Sequence, residues 1–479
     1  MRAKFPFFIL VIIAVTVVAP NSKAQSRQQE KTDSVLALVS QHLKAKDADA
    51  IYALTGTLFK QKLSLQNFRT VASQQLFPLG EIKEVTPISF VNNKTATYKV
   101  RFEVLTMEVL LSLDEAGKID LFFFRPFKLE PVNKPDPVAT SNRLRSAQDR
   151  KVDTAARSYI QKSNTVGVSI GVIKNGQVSL YNYGEMVKGG GHLPTGETLY
   201  EIGSITKTFT SALLAYYVNE GKIKLTDPII KYLPDSVAAN PQLKGITLVN
   251  LSNHTSGLPT LPDNLAAQIP FDQLNPYKNY NKQLLFAYLK DCRLTTKPGE
   301  KYVYSNLAVG LLGVILEKIS GQSFEQMVGE LICKPLGMKN TVQHLYPMLT
   351  PRFAPVYNDD GRQTAPWDFD VLAPCGSLRS TVNDLVLYAR ANLNDNGPGS
   401  LAKAFKLTHE VTFASDAKLG LAWHIILVDG VSYYFHDGGT YGSSSFLAFN
   451  KEKNLAVIVL SNASASTIAA GVDILRKLQ

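Results

Sequence analysis

The sequence predicts an α+β protein: one antiparallel sheet flanked by helices with an adjoining helical lobe, preceded by a small α+β unit of its own. Three observations predict it. Apolar runs of strand length stand at both ends of the region after residue 145, the middle of that region is mostly helical with long loops, and a cluster of prolines separates it from what comes before. With 479 residues and 45% apolar content the chain can bury a sizeable core, and at roughly 150 residues per domain it has room for two or three. The 51 basic and 40 acidic residues leave a net charge of +11, spread thinly without a block of like charges. That suits a solvated surface, and no nucleic-acid partner is expected. Cys292, Cys333 and Cys375 are too few and too scattered for a disulfide scaffold or a metal cage. Cys333, within Leu331-Ile332-Cys333, reads as a buried small hydrophobe.

Residues 1–24 read as a signal peptide. Arg2 and Lys4 supply positive charge, Phe7 to Ala19 form a short apolar core, and Pro20-Asn21 break it before Ser22-Lys23-Ala24. The small residues of that triplet fit cleavage after Ala24. The alternative, an uncleaved anchor, needs a longer core, since no apolar run reaches the roughly eighteen residues of a spanning helix. The expectation is a periplasmic or secreted protein with no stable membrane span once the signal is removed.

Residues 25–130 read as a small α+β accessory domain. Asp33 or Ser34 is expected to cap a helix through His42, with Val35, Leu36, Val39 and Leu43 on one face. A second helical stretch runs from Leu65 to Leu76. Tyr98, Val100, Phe102 and Val104 then alternate with Lys99, Arg101 and Glu103 as in a half-buried strand, and apolar runs flank the turn Asp114-Glu115-Ala116-Gly117. Helices followed by a curled antiparallel sheet resemble, in pattern, the cone-shaped family related to nuclear transport factor 2. The resemblance implies a docking or spacer module.

Residues 131–147 form a stiff linker, because Pro131, Pro135 and Pro137 exclude helix and central strand. The remaining residues, 148–479, carry the chemistry. Val166 to Ile173 and Val178 to Tyr183 flank Asn175-Gly176, a strong hairpin signal. Val431 to Phe435, Ser445 to Phe449 and Leu455 to Leu460 read as strands, and Ile468 to Leu478 as a closing helix. The early and late strands are expected to join into one antiparallel sheet.

Ser-x-x-Lys occurs three times, at Ser204, Ser400 and Ser415, and context separates them. Ser204-Ile205-Thr206-Lys207 opens an amphipathic helical pattern with Ile205, Phe209, Leu213 and Tyr216 at helical spacing, whereas the other two have Gly, Pro or Asp neighbours and no comparable helix behind them. A residue three positions on lies one turn above on the same face, so the Lys207 amine can reach the Ser204 hydroxyl. A helix start also favours an oxyanion. A serine hydroxyl needs activation to attack a carbonyl, and a lysine with its ordinary pKa of about 10.4 cannot take the proton. Lys207 must therefore be desolvated, and a nearby phenol would help relay the proton.

Tyr-x-Asn also occurs three times. Tyr217 lies inside the Ser204 helix and Tyr277 in a polar loop, while Tyr304-Ser305-Asn306 stands at the entrance of an apolar helix from Leu307 to Ile319. His436-Asp437-Gly438-Gly439-Thr440 directly follows the strand ending at Phe435, where glycines let a substrate backbone approach.

In this order, Ser-x-x-Lys, Tyr-x-Asn and a basic residue-x-Gly resemble the signature of penicillin-recognising serine hydrolases. The matching branch holds class C β-lactamases, D-alanyl-D-alanine carboxypeptidases, D-aminopeptidases and related esterases. The similarity covers roughly residues 150–479. Leu251-Ser252-Asn253-His254-Thr255-Ser256-Gly257-Leu258 is similar to the family's His-Thr-Ser-Gly loop. Gly376-Ser377-Leu378-Arg379-Ser380-Thr381 with Asp384, and Gly420-Leu421-Ala422-Trp423, also have family counterparts. These stretches, His254 included, read as architecture.

The resemblance implies a β-lactamase/transpeptidase-like fold and an acyl-enzyme on Ser204, with Lys207 as proton acceptor or electrostatic activator. It implies Tyr304 as general base, or as acid for the leaving group, and Asn306 as a hydrogen-bond partner of both Lys207 and a substrate amide. Gly438 and His436 would contact substrate, and the N–H groups of Ser204 and Gly439 would form an oxyanion hole. His436 stands where the family most often has lysine. Histidine is mostly neutral at pH 7, which leans the expectation towards esterases and aminopeptidases. Neither metal nor cofactor is expected. Substrates would be small amides or esters: D-amino-acid or cell-wall peptides, esters or β-lactams. The alternative is a penicillin-binding or peptidoglycan-sensing protein that acylates without efficient turnover.

Overall fold

The computed structural model describes residues 22–91, 94–127 and 138–479. Residues 1–21 of the expected signal peptide (residues 1–24) and the linker prolines Pro131, Pro135 and Pro137 lie outside these residues. The chain forms two compact units that divide between Glu130 and Pro131.

In the smaller unit the first helix spans Ser22–Lys44 and so starts well before the expected caps. The residues ahead of Asp33 are mostly Gln, Lys, Arg and Glu without Gly or Pro, so the helix propagates straight through. Asp33 instead accepts a hydrogen bond from the Tyr98 hydroxyl (2.7 Å), and the Ser34 hydroxyl donates back to the Glu30 carbonyl (2.8 Å). Ser64 caps the helix Leu65–Val71, whose continuation widens over Ala72–Leu76. Four antiparallel strands follow in chain order, Ile82–Val91, Thr95–Phe102, Thr106–Leu113 and Ile119–Pro126. The alternation is as expected: Ala96, Tyr98, Val100 and Phe102 are buried and share a core with Leu36, Val39 and Leu43 of the first helix. Val104 falls in the turn after this strand, not within it.

The larger unit is built on an eight-stranded sheet in the order Phe413–Ala414, Lys418–Leu419, His424–Val428, Val431–Gly439, Ser444–Asn450, Leu455–Ser461, Gly167–Lys174 and Gln177–Gly184. The early hairpin turns through Asn175 (φ 51°) and Gly176 (φ 79°), the left-handed pair that matches strand twist. Leu455–Ser461 pairs antiparallel with Gly167–Lys174, so the two ends of the unit do close into one sheet. Both faces are covered. Val168, Ile170, Val172, Val457 and Val459 pack with the helices Ala147–Ile160 and Ile468–Leu478. On the other side Ile173, Leu447, Phe449, Ile458 and Leu460 join the core of the helical lobe.

Two expectations need correction. The helix Thr206–Asn219 is buried on nearly every side, Tyr216 being one of few partly open positions, so it is the central helix of the unit and not an amphipathic one. Phe209 stacks on Tyr388 within that core, with ring centroids 4.0 Å apart. Ser400 does open a helix, Ser400–Thr408, but its hydroxyl donates to Glu220 at the surface.

His409 shows how this core depends on pH. The ring is buried, with Nδ1 2.9 Å from Asp395 Oδ2 and Nε2 3.0 Å from Asn392 Oδ1. Burial pushes it down to about 4, against the pull of Asp395. The unfolded chain therefore binds a proton near pH 6.5 that the folded protein refuses until pH 4. The stability tied to this site is fully present above pH 6.5 and is lost as pH falls through 4, by about 3 kcal/mol. Urea unfolding at about pH 7 and pH 5 should show a smaller acid-induced fall in midpoint for His409→Gln than for the wild type.

Candidate active site

The short strand Tyr200–Glu201 leads into one tight turn, Gly203–Ile205, and then into the helix Thr206–Asn219, which places Ser204 at the helix tip. This turn requires glycine twice over. Gly203 has φ +49°, and a Cβ on it would lie 2.5 Å from the Gly439 nitrogen. A Cβ on Gly438 would come within 2.0 Å of the Ile202 carbonyl. The strand Val431–Gly439 therefore lies directly against the serine's turn, and the Ser445 hydroxyl fixes it by donating to the Ile202 carbonyl (2.8 Å). His436 to Gly439 belong to this strand and pair with Leu447 to Ser444; they do not follow its end, as the sequence had suggested.

Lys207 is fully buried one turn along from Ser204. Its Nζ donates to Ser204 Oγ (2.9 Å) and to the Cys375 carbonyl (2.6 Å). Burial pulls the amine down to about 8, although Cys375 and Asp437 favour its charge. At pH 7 roughly one molecule in ten then holds Lys207 neutral, against fewer than about one in a thousand for an exposed lysine. The Tyr304 ring lies with its centroid 4.8 Å from the same nitrogen. The Tyr304 hydroxyl is buried and interacts with Ser204, yet forms no hydrogen bond of ordinary geometry there. Burial raises it well above the usual phenol range. The phenol form is therefore the resting one, suited to passing or donating a proton and not to standing as an anion.

Asn306 opens the helix Asn306–Ser320. Its amide donates to the Tyr277 hydroxyl (3.1 Å), and its carbonyl oxygen is buried without a partner. The expected bond to Lys207 does not form; the Cys375 carbonyl takes that place. The His436 ring is buried, and Nδ1 donates to the Asp437 carbonyl (2.7 Å), which leaves a lone pair on an unpartnered Nε2. Burial, then His424 and Lys207, push its pKa well below 6.5, so no cation faces substrate from this position at neutral pH.

Several residues of the site were missed in sequence. His254, read as architecture, places its ring 4.4 Å from that of Tyr304 and accepts from the Ser305 N–H on Nδ1 (3.2 Å). Tyr277, set aside as a loop residue, holds Asn306. Glu201 is buried three residues before the serine. It accepts from the Trp367 N–H (2.6 Å) and the Thr440 hydroxyl, and lies 4.0 Å from the buried Arg379. Burial raises the Glu201 carboxyl and Arg379 opposes that rise. An acidic residue flanked by Tyr200 and Ile202 was a readable signal; the partners of Tyr277 were not. Among the described residues, no group of three or more His, Cys, Asp or Glu is placed to hold a metal ion.

A buried lysine coupled to a serine at a helix tip, under a sheet strand laid across the same turn, makes this a serine hydrolase of the β-lactamase/transpeptidase fold. The chain belongs to the beta-lactamase family, whose family model matches residues 152–478. It is 28% identical over 349 residues to a beta-lactamase of Pseudomonas fluorescens, covering 65% of this chain and 92% of that one. It is 30% identical over 336 residues to the D-alanyl-D-alanine-carboxypeptidase/endopeptidase AmpH of Escherichia coli strain K12, covering 66% of this chain and 84% of the relative. A solved class C beta-lactamase superposes with a TM-score of 0.63 at 25% identity, covering 71% of this chain and 98% of that one.

Proposed function

We propose that this protein is an exported hydrolase that forms an acyl-enzyme on Ser204 from small amides or esters, D-amino-acid and cell-wall peptides and β-lactams included. The observation that carries the reading is the 2.9 Å contact between a fully buried Lys207 amine and the serine hydroxyl. In its neutral form Lys207 takes the hydroxyl proton as Oγ attacks the carbonyl. The N–H groups of Ser204 and Gly439 are the proposed donors to the oxyanion. Tyr304, a phenol at rest, passes a proton to the leaving group, and water then releases the acyl group. A neutral His436 offers no charge to a substrate carboxylate, which favours substrates recognised by their acyl part. The four-stranded small unit is read as a docking or spacer module of the cone-shaped type.

A fluorophosphonate probe should label the wild type and leave Ser204→Ala unlabelled. Labelling that persists in the variant would refute the nucleophile. A fluorescent penicillin that labels Ser204 without release of product would identify an acylating binder in place of a hydrolase.

A further inference from the structure

Phe369 is a half-buried ring at the edge of the nucleophile's surroundings. A Cβ on Gly376 would lie 3.2 Å from the Phe369 ring tip and 4.0 Å from the carbonyl carbon of Gly203, the atom bonded to the Ser204 nitrogen. Gly376 follows Cys375, whose carbonyl holds Lys207. On its other side Phe369 stacks on Tyr277, centroids 4.6 Å apart and planes 19° apart, and Tyr277 holds Asn306. The ring thus borders Gly376, the residue that lies between it and the serine turn, and through Tyr277 it backs the amide of Asn306.

Its backing is rigid. Trp367 is buried, 6.1 Å from Phe369 between ring centroids. The Trp367 N–H is held by Glu201 and its carbonyl by Arg379 (2.8 Å). Its indole donates to the Leu274 carbonyl (2.9 Å). Tyr441, also half-buried, lies 6.4 Å from Trp367 between centroids and stands two residues past the strand end at Gly439. A fixed apolar wall that stays partly open beside a nucleophile binds apolar groups without the entropy cost of ordering itself.

We propose that Phe369 determines specificity at this site and selects substrates whose acyl group carries an aromatic or bulky aliphatic side chain. The inference rests on the reading of Ser204 as the nucleophile. Full-length protein assayed with p-nitrophenyl acetate and p-nitrophenyl phenylacetate tests it. In Phe369→Ala the ratio of kcat/KM for phenylacetyl over acetyl ester falls about tenfold from the wild-type ratio, chiefly through KM for the phenylacetyl ester. Phe369→Leu, which keeps apolar bulk, gives an intermediate ratio. A ratio that stays at the wild-type value in both variants overturns the inference, since a merely structural ring would slow both esters alike. Fluorophosphonate labelling of Ser204 in each variant shows whether the site has assembled, and Phe369→Leu decides the matter if Phe369→Ala does not fold. A wild type that is neither labelled nor active on either ester would overturn the nucleophile reading itself. A labelled wild type with an unmoved ratio overturns only the specificity assigned to Phe369.

Discussion

Lys207→Met is expected to lower kcat/KM for any ester or amide the protein hydrolyses by at least about a thousandfold, while leaving the fold intact. The side chain is fully buried, and methionine matches its length without a charge. One cost is the Cys375 carbonyl, which loses a donor at 2.6 Å, and the removal of a desolvated amine offsets that loss. What disappears is a buried amine bonded to Ser204 Oγ whose neutral form can take its proton. The same chemistry sets a pH dependence. In the proposed mechanism uncharged Lys207, held down to about 8, takes the serine proton, so kcat/KM should climb with pH through the neutral range and level off above about 8. A profile that is flat from about pH 6 to pH 9 in the wild type would rule out Lys207 as the titrating base.

Glu201→Ala is expected to destabilise the protein by about 3–5 kcal/mol, seen as a lower midpoint in urea, and to depress activity in whatever fraction remains folded. Glu201 has both oxygens engaged: one takes the Trp367 N–H, the other the Thr440 hydroxyl, with Arg379 alongside. Three segments far apart in sequence therefore meet on one carboxylate. They are the serine's own approach strand, the aromatic stretch Trp367 to Phe369 and the residue after Gly439. Alanine leaves Arg379 buried beside a void and frees the Trp367 N–H and Thr440. Arg379 retains the Asp368 carboxylate (3.3 Å) and the carbonyls of Gln343 and Trp367, which bounds the loss. Combining Glu201→Ala with Arg379→Met should recover part of the stability, and the non-additivity of the double change would measure the coupling of the pair.

How much of this was legible depends on the range of the interaction concerned. The hairpin at Asn175-Gly176, the alternation of Tyr98, Val100 and Phe102, though not Val104, and the closing helix Ile468–Leu478 are written in nearest-neighbour chemistry, and these appear. So does the Ser204–Lys207 contact, because three residues of helix bring the two side chains to one face whatever surrounds them. The pattern could not show that the helix behind Ser204 is enclosed on nearly all sides. Burial of the polar-looking Thr206, Thr208, Thr210 and Ser211 depends on partners such as the Pro374 carbonyl and Ser252.

Sequence by itself determined the strands, helices and hairpin that set the fold class and the identity of the candidate nucleophile, because periodicity and short spacings are local properties of the chain. Tertiary structure alone decided that the second partner of Lys207 is a carbonyl 168 positions away and that Tyr277 serves Asn306. It also decided that a glutamate three residues before the serine ties the site together. Those contacts, and the desolvation that pulls Lys207 down to about 8, arise only where segments 29 to 239 residues apart in sequence exclude water from one another.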